Sequence, residues 1–170
     1  MPSEIRGSDN FDSDSVGKVL QVVSATKTDT SSTGSSTFAN AAGLSVTITP
    51  SSTTSKILVT GHIALSWDSG IAKTAARITR NGTAIAIGDA SGVKRRATGT
   101  FYIPVESYGT IPIPINHLDS PATTSAVTYN WQFSNLDGNG VVYINRGDTW
   151  PDTVISGTSV SSITVMEIGA

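Results

Sequence analysis

The chain has 170 residues, a formal net charge of -2 at pH 7 and 14% charged residues, against roughly 25% in an average domain. This length suffices for one domain with a real core and leaves no room for a second full domain. The weak negative charge argues against nucleic acid as a partner, and the absence of cysteine excludes disulfides.

Hydroxyl side chains replace the missing charges, since Ser and Thr together number 47 and Gly adds 16. Such a surface is neutral and β-prone, which suits a protein within an assembly. No apolar run of membrane-spanning length occurs, and the first residues lack the basic and apolar regions of a signal peptide. We therefore expect synthesis in the cytoplasm and no contact with a membrane.

Residues 1–16 are predicted to form an N-terminal arm ahead of a β-sandwich domain over residues 17–170. The arm is rich in carboxylates, and its large apolar side chains are Ile5 and Phe11. One interpretation is a loose terminus. The other is a docking strap in which Ile5 and Phe11 anchor to a partner.

Alternating apolar and polar residues predict a succession of strands and no helix. The predicted strands cover residues 18–28, 44–48, 57–67, 76–87 (a hairpin), 100–105, 111–115, 127–133, 141–146 and 161–168. Strands of this length, with turn signals every 8 to 15 residues, predict an all-β, two-sheet antiparallel sandwich, most simply a jelly roll.

Four of these segments carry specific expectations. Residues 18–28 are apolar on both faces, which predicts a strand buried on both sides. Gly61 within the third strand predicts a bulge or a close backbone contact. The dipeptide Asn81-Gly82 predicts a type I′ hairpin turn. The alternating prolines of residues 111–115 predict an edge strand or an extended strap.

The strand over residues 127–133 is predicted to organise the core. Val127, Tyr129, Trp131 and Phe133 alternate with polar residues, so all four side chains share one face. Because the chain has only 11 aromatic residues (4 Phe, 3 Trp, 4 Tyr), much of the core should form against this strand. Residues 135–140 are predicted to be a hairpin loop, with 141–146 as its return strand.

No residues predict catalysis, a cofactor or a metal ion. The two histidines, His62 and His117, are too few and too far apart for a zinc site. The segment 137–140 partly resembles a calcium-binding loop, but a turn is the better interpretation. A glycosidase needs a pair of carboxylates in one cleft, and no pair is indicated by the acidic residues of the loops.

Two loops could contact a ligand. The basic triplet Lys94, Arg95 and Arg96 could grip a phosphate or an acidic glycan, although such a loop more often faces solvent or pairs across a subunit boundary. Trp150 suits stacking against a sugar, although it could also pack its own loop.

Four segments carry a resemblance to a known family: GKVLQVV, LDSPATTSAVTYNWQF, VVYINRG and the terminal SSITVMEI. In this order they resemble the C-terminal knobs of tail fibres, and related virion surface proteins, of tailed bacteriophages such as those that infect cyanobacteria. The resemblance covers about residues 17–170. It implies a jelly roll of the tumour-necrosis-factor kind and a homotrimer, and it brings no catalytic residues.

The sequence has no heptads or repeats ahead of the sandwich, as the shaft of a tail fibre would require. We therefore expect a head decoration, or cement, protein on the outer surface of the virion. Its partner would be the major capsid protein, contacted through Ile5 and Phe11. The polar residues Thr128, Asn130 and Gln132 are expected at the trimer interface.

The alternative is a knob among the tail proteins that recognises glycan on the host surface. Its candidate contact residues are Trp150, Arg95 and Arg96.

Overall fold

The computed structural model describes residues 17–67, 72–103, 109–147, 154 and 156–169. The predicted arm with Ile5 and Phe11 lies outside these residues, as does Trp150. The described residues form eleven strands: β1 Val19–Lys27, β2 Ser31–Thr33, β3 Ala39–Ile48, β4 Lys56–Trp67, β5 Ala72–Arg80, β6 Thr83–Ile85, β7 Gly99–Ile103, β8 Ile111–Asp119, β9 Val127–Asn135, β10 Val142–Ile144 and β11 Ser161–Ile168. No helix of the described residues is long and apolar enough to span a membrane.

The strands divide into two antiparallel sheets. Sheet A has the order β1-β11-β4-β10-β2, with β8 also paired to β4. Sheet B has the order β3-β9-β5-β6, with β7 also paired to β5. Strand β4 is central in sheet A because β11 and β10 pair successively along it while β8 pairs with it as well. Strand β9 is central in sheet B, between β3 and β5.

The topology is that of a jelly roll. The pairs β1–β11, β3–β9, β4–β8 and β5 with β6 and β7 are all antiparallel. The chain crosses from sheet A to sheet B and back as it passes along β1, β3, β4 and β5, and again along β8, β9 and β11. This is one long antiparallel hairpin rolled into a sandwich. The predicted all-β, two-sheet antiparallel sandwich is confirmed.

The core lies between the sheets and is formed against β9, as predicted. Val127, Tyr129, Trp131 and Phe133 are all buried. From β4, the residues predicted to share one face are also buried in the core, namely Ile57, Val59, Ile63, Leu65 and Trp67, with Gly61 between them. Because each large side chain contributes about 1.5–3 kcal/mol on burial, these two strands supply much of the apolar stabilisation.

Three local predictions agree with the structure. The turn between β5 and β6 has positive φ angles at Asn81 (48°) and Gly82 (82°), as a type I′ turn requires. Strand β8 pairs with β4 and with no other described strand, so it is an edge strand that contains Pro112 and Pro114. Gly61 makes the predicted close contact with the backbone of β11.

The prediction that residues 18–28 are buried on both sides is wrong. Strand β1 is an edge strand whose inner face, with Val23 and Ala25, packs against the core. On the rest of the strand Val19 is 53% exposed, Leu20 41% and Val22 55%. The Val-rich pattern reports apolar surface, but it cannot distinguish burial within the chain from exposure.

The prediction of a hairpin over residues 135–146 is also wrong. The segment after β9 crosses to the other sheet, where β10 pairs with β4 and β2. Residues 31–33, which lie outside the predicted strands, form β2 because β10 supplies their partner. Both differences arise from pairings between segments far apart in sequence.

Replacement of Gly61 is expected to destabilise the sandwich. A Cβ atom at Gly61 would lie 2.3 Å from the backbone oxygen of Ser162, and its φ of +142° is unfavourable for other residues. We expect Gly61→Ala to lower the free energy of unfolding by about 1–3 kcal/mol, measured by urea denaturation. Gly88→Ala is the matched control, because a Cβ there meets no atom within 4 Å; equal losses in both variants would contradict the contact.

Candidate interaction surfaces

The predicted trimer-interface residues lie together on the outer face of sheet B. Thr128, Asn130 and Gln132 are half-buried and point away from the core. Asn40 Oδ1 accepts hydrogen bonds of 2.8 Å from both Asn130 Nδ2 and Gln132 Nε2. The hydroxyls of Thr128 and Thr47 lie 2.8 Å apart. This face is thus a connected layer of amides and hydroxyls.

A cation extends the same layer towards Phe38. Arg77 Nε donates to Gln132 Oε1 at 2.8 Å, and its guanidinium carbon lies 4.0 Å from the centre of the Phe38 ring. A stacked and hydrogen-bonded Arg holds a fixed geometry. The side chain of Gln132 is therefore fixed from two sides.

A shallow concavity of about 440 Å³ opens beside this layer. It forms where the β3–β9 register shifts between Asn40 and Ser45, a bulge that includes Gly43 with φ +85°. The remaining lining comes from Thr79, the Asn81-Gly82 turn, Thr128 and Asn130, and all of the lining is uncharged. It offers amides and hydroxyls to a neighbour, without a titratable group for catalysis.

At one end of the sandwich a carboxylate ties the two sheets together. Asp119, at the end of β8, accepts two hydrogen bonds of 2.9 Å from Arg80 NH1 on β5 and one of 2.7 Å from Tyr129 on β9. Burial, followed by the bond to Asp119, raises the pKa of Tyr129 far above its usual value. The tyrosine therefore remains a donor at all ordinary pH values.

A second buried carboxylate belongs to Glu167 on β11. Its Oε1 accepts from the backbone nitrogen and the hydroxyl of Ser51 at 2.7 and 2.6 Å, and its Oε2 from Gln21 at 2.6 Å. Burial alone would raise the pKa of Glu167, but these hydrogen bonds outweigh it and lower the pKa to about 2. The charged carboxylate fastens the turn after β3 to β1 and β11.

A third buried polar group centres on Asn145, which follows β10 with a positive φ of 63°. Its Nδ2 donates to the backbone oxygens of Lys27 (2.7 Å) and Asp29 (3.0 Å), and its Oδ1 lies 2.5 Å from the hydroxyl of Ser161. The buried ammonium of Lys27 pairs with Asp29 at 2.8 Å. This cluster joins the ends of β1, β10 and β11.

The metal and calcium alternatives gain no support from the geometry. Across the described residues no three His, Asp or Glu side chains come together as metal ligands. His62 Nε2 lies 2.9 Å from the backbone oxygen of Val160. Asp137 pairs with Lys73 at 3.3 Å and accepts from the backbone nitrogen of Asn139, which is the geometry of a turn.

The basic triplet lies on the exposed loop between β6 and β7. Arg95 donates to the backbone oxygen of Ser36, and Arg96 Nε donates to that of Gly88 at 2.6 Å. Each arginine therefore uses part of its donor set to hold the loop. The structure does not bring this loop to Thr128, Asn130 and Gln132 by any described contact.

Sequence reasoning missed a surface on the outer face of sheet A. Val22 pairs with Met166, Met166 with Leu58, and Leu58 with Leu118, so one apolar side chain from each of four adjacent strands forms a row across the sheet. We call these four residues the apolar row. Each of the four is an apolar residue on the outer face of its own strand, but only the register between the strands aligns them.

Comparison with known proteins gives structural similarity alone. No protein-family model matches the chain, and no curated protein matches it. A subviral particle of infectious bursal disease virus VP2 aligns at a TM-score of 0.41 and 12% identity, over 88% of this chain and 32% of that one. The T=1 particle derived from infectious bursal virus aligns at 0.43 and 14%, over 88% and 36%. The chain spans about a third of the length of these proteins.

The Glu167 contacts predict a specific loss of stability in acid. Because the folded pKa of about 2 is below the ordinary value of 4.5, the contribution is complete above about pH 4.5 and is lost as the pH falls towards 2. We expect Glu167→Gln to cost about 1–3 kcal/mol at pH 7 and to flatten the stability profile over this window. Urea denaturation between pH 7 and 2.5 measures this; parallel profiles for both proteins would contradict it.

The Asp119 contacts predict a cost for removal of a single hydroxyl. We expect Tyr129→Phe to reduce the free energy of unfolding by about 1–2 kcal/mol, because it removes one donor from a buried carboxylate. Tyr102→Phe is the control, since Tyr102 is 53% exposed and should change stability by no more than about 0.5 kcal/mol. Equal thermal shifts would show that the inter-sheet bond contributes nothing specific.

Proposed function

We propose that this chain is a non-enzymatic structural protein of a tailed-bacteriophage virion, most specifically a trimeric head decoration protein. It binds the major capsid protein on the outer surface of the shell and stabilises the assembled head. The proposal joins the sequence resemblance of residues 17–170 to the distribution of chemistry in the jelly roll.

The observation that carries the proposal is the difference between the buried polar groups, which stabilise the fold, and the exposed faces, which are available for contact. Among the buried ionisable groups described above, Asp119, Tyr129 and Glu167 hold strands or sheets together through hydrogen bonds, and Lys27 pairs locally with Asp29. The exposed faces offer uncharged amides and hydroxyls on sheet B and apolar side chains on sheet A. A rigid body of this kind is suited to contact another protein surface rather than to transform a substrate.

The mechanism of stabilisation is preferential binding to the assembled shell. A ligand that binds only the assembled state stabilises it by about 2.7 kcal/mol per site at a free concentration 100 times its dissociation constant. A sandwich whose strands are already fixed loses little conformational entropy on docking, so more of the contact energy remains for the capsid. Ile5 and Phe11 of the N-terminal arm are the proposed capsid contacts.

Localisation on the virion tests the proposal directly. Cryo-electron microscopy of the phage that carries this chain should show its density on the outer capsid surface, and density confined to the tail tip would overturn the decoration role. Heads lacking the protein should release DNA at a lower temperature and recover when purified protein is added. The double variant Ile5→Ala, Phe11→Ala should bind such heads at least about tenfold more weakly, whereas Ser13→Ala should bind normally.

A glycan-binding knob of the tail is the second candidate. The observation that favours it is the exposed loop of Lys94, Arg95 and Arg96, which is held in shape by its bonds to the Ser36 and Gly88 backbone. A preformed basic loop could recognise an acidic glycan, with Trp150 as a stacking partner. Purified protein should then compete with phage adsorption, and Arg95→Ala, Arg96→Ala should abolish the competition; no competition at saturating protein would eliminate this candidate.

A further inference from the structure

The outer face of sheet A carries a contiguous exposed apolar patch. In addition to the apolar row of Val22, Met166, Leu58 and Leu118, the adjacent pair Val19 and Ile168 lies at the same end of the sheet, next to Leu20. Val22 is 55% exposed and Leu118 54%, at opposite ends of the row. The exposed side chains together amount to roughly 300–400 Å², as large as the largest apolar patch of a typical monomer.

The patch has the layout of an interface centre. The next outward row across the same four strands is polar, formed by Ser24, Thr164, Thr60 and Asn116. The hydroxyls of Ser24 and Thr164 lie 2.9 Å apart. Apolar side chains flanked on one side by a polar, hydrogen-bonded row resemble the join between the core and the rim of a protein interface.

The size of the face also matches what a stable contact needs. Four strands spaced about 4.8 Å apart and about eight residues long present a face roughly 19 Å by 26 Å. Such a face covers about 500 Å², so two of them reach the roughly 1,000 Å² in total that is the lower limit of a specific interface. The whole face, rather than the apolar patch alone, is therefore large enough for association.

The charge distribution favours a second copy of the same chain as the occupant. The eight residues of the two rows are uncharged, and the nearest cation, Lys56, lies at the border with its Nζ 2.9 Å from the Ser120 hydroxyl. Two such faces meet without repulsion, and neither provides the charge pattern by which an interface selects a different partner. A neutral apolar face is therefore complementary to itself or to another uncharged face of this chain.

The two edges of sheet A differ in how well they are protected against contact with a further strand. On β8 the prolines Pro112 and Pro114 remove backbone donors and oppose contact with a further strand. Strand β1 has no proline, and no charged residue lies between Lys18 and Lys27. The apolar row reaches both edges, and only the β8 edge carries prolines.

We propose that a second copy of this chain covers the outer face of sheet A. This face, rather than the layer of Thr128, Asn130 and Gln132 on sheet B, provides the apolar contact between copies. On sheet B the side-chain amides already bond to Asn40 and Arg77. The proposal deepens the homo-oligomeric part of the proposed function, but it concerns the purified chain and does not depend on the position of the protein in a virion.

Cysteine reactivity tests the proposal cleanly because the chain has no native cysteine. We would place a single thiol on each outer face, Leu118→Cys on sheet A and Ser45→Cys on sheet B. Both positions are exposed, so neither change should alter the fold, which circular dichroism and thermal melting verify. Alkylation by a maleimide is then followed over a dilution series, with the mass of the particle measured by light scattering in parallel.

If the proposal is correct, alkylation of Leu118→Cys slows by about tenfold at a chain concentration about tenfold above the dissociation constant of the oligomer. Protection of both thiols also supports it and adds sheet B as a second contact. Free reactivity of Leu118→Cys in an oligomer, or a monomer at micromolar concentrations, overturns it. Protection in a monomer also overturns it, and indicates that the chain covers its own face.

A charge variant gives an independent measurement. Leu118→Lys places an ammonium within the apolar row and should raise the dissociation constant by at least about tenfold, whereas Ser45→Lys on sheet B should change it little. The reverse pattern would move the contact to sheet B and overturn the proposal. Absence of the protein from the capsid would contradict the decoration role and leave these outcomes unchanged.

Discussion

The register of β4 is the constraint on which the rest of the structure depends. Its two faces serve different purposes: one fills the core with Ile57, Val59, Ile63, Leu65 and Trp67, while the other places Leu58 in the outer apolar row. Because side chains alternate between faces, a slip of one residue would exchange the two sets. Gly61 limits such a slip, since the backbone of β11 approaches so closely that no other residue fits there.

Buried polar groups fix features of the fold that β4 and the apolar core leave undetermined. Apolar burial holds two sheets together but specifies neither the ends of strands nor the angle between sheets. Asp119 joins β5, β8 and β9 across the sandwich, Glu167 fixes the turn after β3, and Asn145 joins the ends of β1, β10 and β11. Since each group would be costly without its partners, these contacts favour one arrangement over its alternatives.

The two outer faces of the sandwich differ in chemistry although both are uncharged over most of their area. The face of sheet B is a layer of amides and hydroxyls that bond to one another, with a shallow concavity beside it. The face of sheet A is apolar towards one end and polar beyond it. Polar groups that are already bonded gain little from a neighbour, whereas exposed apolar groups gain from every contact that removes water. This difference is why we propose sheet A, rather than sheet B, as the contact between copies.

The sequence by itself determined the fold class, the core strand and several turns, because these depend on local pattern. Each of these signals is contained in a short stretch of sequence: the alternation in residues 127–133, the Asn81-Gly82 turn and the prolines of β8. Only the tertiary structure decided the partners of β10, the edge position of β1 and the alignment of Val22, Met166, Leu58 and Leu118. These features depend on the register between strands that are distant in sequence. The apolar pattern of a strand is the same whether its side chains pack against the rest of the chain or face water.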